Sequence, residues 1–152
     1  MNVLGDNLLE APIFKDNTVN QNINEDTVLR FINTIEGWKT RCKNLHWAAP
    51  EQSIHAYLDD FLTVLSGYQD GLAEEYMGII GKMQPTAVTG VPCNSTNAME
   101  FIKQVRLKTL DFYSTLSSNS IYAGVRSECE TFIHEINKYN YLFGLCYKED
   151  NY

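Results

Sequence analysis

Apolar side chains recur every three or four residues over four long stretches. That spacing restricts the chain to amphipathic helices packed on one another. Val28, Phe31, Ile32, Ile35, Trp38, Cys42 and Leu45 mark the first helix, over about Glu25 to Trp47, and Ala48-Ala49-Pro50 closes it. His46 follows Cys42 by one turn and is expected to face inward. The second helix opens near Glu51–Ser53 and runs to about Met83. Ile54, Leu58, Phe61, Leu62, Leu65, Leu72, Ile79, Ile80 and Met83 form its core face. It also carries Gly67, Gly71, Gly78 and Gly81, which lower helix propensity, so it needs support from neighbouring helices. Gly71 is a candidate point of close helix approach.

Residues 84–97 hold two prolines, a glycine and several turn-formers, and read as a connection. Ser95, Thr96 or Asn97 can cap a third helix over about 98–117, with Phe101, Ile102, Val105, Leu110, Tyr113 and Leu116 inward. Ser117-Ser118-Asn119-Ser120 breaks the pattern. A fourth helix spans about 125–147, with Val125, Cys129, Phe132, Ile133, Ile136, Tyr139, Phe143 and Cys146 on its core face. The predicted fold is all-α: a four-helix bundle over 24–152 with a long crossover between helices 2 and 3, preceded by a leader over 1–23. The leader has Asp6, Glu10 and Asp16 against Lys15 alone, and reads as an arm on a neighbour or as a mobile segment.

The charge balance narrows the function classes. The net charge is −7, which argues against general nucleic-acid binding. No stretch approaches the roughly 20 apolar residues of a membrane span, and the N-terminus lacks the pattern of a secretory signal. Cys42, Cys93, Cys129 and Cys146 form no CxxC pair and read as buried small hydrophobes, in keeping with a cytoplasmic protein. Lys103, Arg106 and Lys108 read as a solvated face, and Glu130 with His134 as a surface pair. Tyr139, Tyr141 and Tyr147 read as core or interface residues.

The second helix carries an unusual polar stripe: His55, Asp59, Asp70 and Glu74. His55 and Asp59 are one turn apart, and so are Asp70 and Glu74, so each pair can offer two ligands to one point. The two pairs are too far apart along the helix for one metal ion, at about 1.5 Å of rise per residue. Two copies packed antiparallel about a two-fold axis would bring the pairs together twice, and His46 could join each centre. Imidazoles plus carboxylates suit ferrous iron and tolerate zinc or manganese. Each residue also has an ordinary reading. His46 could be a hydrogen-bonded core histidine and His55 a surface residue. Asp59 could complement the helix dipole, and Asp70 with Glu74 could be a solvated face.

Asn44-Leu45-His46-Trp47, then Ile54-His55-Ala56-Tyr57-Leu58-Asp59-Asp60, then Asp70-Gly71-Leu72-Ala73-Glu74 resemble the Dps miniferritins. That family has a His-Trp pair, then L-H-x-x-x-D-D, then D-x-x-A-E, at this spacing. The resemblance is concentrated in 42–83. It implies a ferritin-like bundle assembled into two-fold dimers within a dodecameric shell. It also implies oxidation of Fe(II) by hydrogen peroxide or oxygen, which protects against oxidative damage. His46, His55 and Asp59 would be ligands from one subunit, Asp70 and Glu74 from the other, and Trp47 would lie beside the di-iron or mononuclear centre.

The chain departs from the family in three places. Only eight residues separate His46 from His55, fewer than is usual in the family. The leader is acidic where DNA-binding members have lysines, so DNA is not an expected partner. Residues 117–120 carry no acidic pore pattern, although Glu128 and Glu130 lie nearby. There is no Glu-x-x-His, which disfavours a centre built inside one bundle. Two rival readings are a structural or assembly protein on the same fold, such as a virion component, with a relict metal site, and a helical regulator that binds a partner through 1–23.

Overall fold

A computed structural model describes the backbone of residues 3–149 and the side chains of 25–147. Residues 3–149 form α1 (Val3–Ala48), α2 (Gln52–Ile80), α3 (Ala98–Thr115), a 3-10 turn (Ser120–Tyr122) and α4 (Ala123–Glu149). No strand occurs among the described residues. α1 passes without a break through the expected boundary at 23–24. The leader's side chains, and with them the expectation of an arm on a neighbour, lie outside the described residues.

The helices close one core. α1 packs on α2, α2 on α4, α4 on α3, and α3 returns to α1. All seven expected core residues of α1 are buried, from Val28 to Leu45. α2 buries Ile54, Leu58, Phe61, Leu65, Tyr68 and Leu72. It stops at Ile80, earlier than expected, because Gly81 takes φ +107° and caps the helix with an N–H to the Met77 carbonyl at 2.8 Å. Ile80, expected in the core, is consequently exposed. Aromatic rings run through the centre. Phe31 stacks on Phe112 at 4.0 Å, Tyr68 on Phe132 at 4.1 Å, and Phe61 sits within 6.3 Å of Phe101, Phe132 and Tyr139.

α3 differs most from its sequence reading. Its buried residues are Ala98, Phe101, Ile102, Val105, Thr109 and Phe112, a stripe of threes and fours. Leu110, expected inward, is exposed, and Leu107 beside it is 71% exposed. Asn97 is the cap: its side chain accepts from the Glu100 N–H at 2.9 Å. Asn97→Ala is expected to lower stability by about 1 kcal/mol in urea denaturation, with helix content retained.

Residues 81–97 have no regular structure and lie along α1. Asn33 holds them: its amide nitrogen donates to the Ala87 carbonyl at 3.1 Å, and its Oδ1 accepts from the N–H groups of Thr89 (2.8 Å) and Gly90 (3.1 Å). The Asn33 carbonyl accepts from the Val91 N–H at 3.0 Å. Two turns further on, Arg41 Nε donates to the Cys93 carbonyl at 2.7 Å. The segment lies so close to α1 that a Cβ on Gly37 would overlap the Val91 carbonyl oxygen, 2.6 Å from its carbon and 3.2 Å from the Val91 nitrogen.

Candidate metal centre

The link between α1 and α2 is only residues 49–51, so the two helices are antiparallel neighbours. Residues close to that turn on either side then face each other, and His46 and His55 do. Their rings stack, with centroids 3.7 Å apart and planes 22° from parallel. Each holds the other's main chain: His46 Nδ1 lies 2.7 Å from the His55 carbonyl oxygen, and His55 Nδ1 lies 2.8 Å from the His46 carbonyl oxygen. A carbonyl oxygen can only accept, so both Nδ1 atoms carry hydrogen. In the neutral rings the lone pair is then on Nε2 in both. The short connection, a departure from the Dps pattern, thus places His46 against His55.

Asp59 lies one turn beyond His55 on α2 and is exposed. Its carboxylate also acts on α1. Burial pushes the Cys42 thiol up to about 12, with the negative charge of Asp59 adding to the rise. Cys42 Sγ donates to the Leu58 carbonyl at 3.2 Å. Burial likewise raises Cys129 to about 11. All four cysteines are buried and free. None has the exposed, electropositive setting that activates a thiol.

Asp70 and Glu74 are exposed on the outer side of α2, a turn apart. The rise from His55 to Asp70 is about 22 Å at 1.5 Å per residue. Among the described residues no group of three or more His, Cys, Asp or Glu stands close enough together to hold a metal ion. One protomer thus brings His46 and His55 together and leaves Asp70 and Glu74 apart from them. Trp47 is 71% exposed at the α1 end beside the histidine pair. Gly71 faces the Glu128 carboxylate of α4, which a Cβ would meet at 3.0 Å. The close approach at this glycine is therefore made inside the protomer. Glu130, expected to pair with His134, accepts from the Tyr113 hydroxyl at 2.6 Å.

Sequence reasoning missed the reciprocal bonding of the two imidazoles. Positions 46 and 55 lie four and five residues from the middle of the turn, but which facing residues meet depends on how tightly 49–51 turn. Compared with protein-family models, with curated proteins and with solved structures, the chain matches none of them.

Proposed function

We propose that the chain is a Dps-like ferroxidase that oxidises Fe(II) at centres shared by two copies. The observation that carries the reading is the histidine pair. Metal-ligating imidazoles usually donate their other N–H to a carbonyl or carboxylate, which fixes ring and tautomer. Here both rings do so with main-chain carbonyls, and both keep an Nε2 lone pair for a ligand.

The geometry of α2 favours a two-fold partner. The midpoint between His55 and Glu74 is also the midpoint between Asp59 and Asp70, just past Val64. An antiparallel α2 pair centred there sets imidazole against carboxylate at both ends. The outer residues near that centre, Thr63 and Gly67, are small and exposed, and a Cβ on Gly67 would meet nothing within 4 Å. The path of 81–97 agrees with a ferritin-like crossover. It advances along α1 from Asn33 to Arg41, so α3 starts at the end of the bundle where α2 also starts.

In this reading iron is the substrate, with zinc or manganese as possible competitors. His46, His55 and Asp59 hold ferrous ions from one copy, and Asp70 and Glu74 hold them from the other. The carboxylates favour the higher ferric charge, which draws the electron out. Two ferrous ions give one electron each to hydrogen peroxide, which takes two protons and leaves as two waters. Trp47 stands at the edge of the centre. Removing iron and peroxide together limits oxidative damage. A dodecameric shell would add storage. A cytoplasmic setting, with DNA and membranes outside the partner set, belongs to the same reading.

The double variant Asp70→Ala, Glu74→Ala tests it. Iron oxidation, followed by absorbance after anaerobic loading and peroxide addition, is expected to fall by at least about 100-fold with helix content unchanged. Unchanged rates would refute the assignment. A structural or assembly protein on this fold is the second reading. It is favoured by the separation of the donors within one protomer, and it predicts no iron, zinc or manganese retained after loading.

A further inference from the structure

A cleft of about 250 Å³ separates part of α1 from the connection that lies along it. Gly37, Thr40, Arg41 and Asn44 line one wall, at the spacing of a single helix stripe. Residues 89–93 form the other wall. The histidine pair belongs to a different side of α1. His46 is turned to α2 by its bond to the His55 carbonyl, whereas Arg41 is turned to the connection by its bond to the Cys93 carbonyl.

The chain carries a net charge of −7, yet no carboxylate lines this cleft among the described residues. Arg41 supplies its charge and is half-buried. The Arg41 Nε bond to the Cys93 carbonyl, at 2.7 Å, fixes the plane of the guanidinium and uses one of its five N–H groups. The ion pairs among the described residues are Arg30 with Asp26 and Lys39 with Glu36, so no carboxylate there answers the charge of Arg41. Pinning the connection needs only a neutral donor, as Asn33 shows with the Ala87 carbonyl. The positive charge is surplus to that role, and a half-buried cation is costly until an anion meets it.

The neighbouring groups are donors too. The Thr40 and Thr89 hydroxyls make long bonds of 3.4 Å, to the Glu36 carbonyl and to Asn33 Oδ1, and each can turn to a better acceptor. Asn44 adds an exposed amide. Donors on two walls suit a group that accepts from several directions. A phosphate does so with three or more oxygens, and a planar carboxylate has only two. The free end of a guanidinium matches two phosphate oxygens at once.

We propose that this cleft binds the phosphate group of a small molecule, with Arg41 as its counter-ion. The bound group touches α1 and the connection together, so it clamps 81–97 onto the helix. The site does not depend on the metal reading.

Hydrogen exchange of the 81–97 amides in the full chain, without added metal, tests it with inorganic phosphate at constant ionic strength. Titration calorimetry gives the Kd. At about ten times that Kd, phosphate slows exchange of the segment about tenfold. Arg41→Gln abolishes the slowing, but it also removes the bond to the Cys93 carbonyl. Asn44→Asp separates the two roles. Asn44 is outside the bonds that hold 81–97, and the new carboxylate takes up the charge of Arg41. This variant weakens phosphate binding by about tenfold or more, while exchange of 81–97 without phosphate stays within about twofold of the wild type. The proposal is overturned if phosphate slows exchange no more than chloride of equal ionic strength, or if Asn44→Asp binds phosphate as the wild type does. Succinate binding as tightly as phosphate also overturns it and assigns the cleft to carboxylates.

Discussion

Gly37→Ala is expected to destabilise the protein by about 3 kcal/mol, against the sign that helix propensity alone gives. Gly37 lies in the middle of α1, where alanine is favoured over glycine by about 1 kcal/mol. The connection decides the outcome. The added methyl would overlap the Val91 carbonyl, which is backbone and cannot rotate away. Moving it breaks the Val91 N–H bond to the Asn33 carbonyl and pulls on Thr89 and Gly90, both held by the Asn33 side chain. A chain of this size is expected to lose roughly 10 °C in Tm, read by calorimetry. A rise in Tm would mean that 81–97 does not lie against α1 as described.

On the proposed shared-centre reading, mixing two inactive variants is expected to restore iron oxidation. One partner is His46→Ala, His55→Ala; the other is Asp70→Ala, Glu74→Ala. Each alone has every shared centre broken. In a mixed pair one centre combines two damaged halves and the other combines two intact halves. Random mixing makes about half of all pairs mixed, so about a quarter of the wild-type centres return. The measurement is the initial oxidation rate after co-unfolding and refolding the two variants together. A centre held within one copy predicts no recovery at any mixing ratio.

Most of the bundle was legible because α1, α2 and α4 each keep their large apolar residues on one stripe. α3 was not. It has apolar residues on two faces, Leu107 and Leu110 on one and Phe101, Val105 and Phe112 on the other. Periodicity alone offers both, and tertiary packing selected the face that also buries Thr109. The end of α2 was placed too late because Ile80 and Met83 continue the apolar spacing, while the break comes from the backbone angle of Gly81. At the candidate site, the common stripe of His55, Asp59, Asp70 and Glu74 was readable from one helix. The contact of His46 with His55 was not, because it depends on how tightly residues 49–51 turn. That turn is a property of two helices together.

The path of residues 81–97 carries a consequence for how the molecule opens. With no ladder of its own, this stretch uses α1 as a template and hangs largely on the single side chain of Asn33. It can settle only after α1 exists, and it can lift away while the four rods stay docked. Its amide protons should therefore trade with solvent well before those of the core, and a protease should cut this seam before it cuts the core helices.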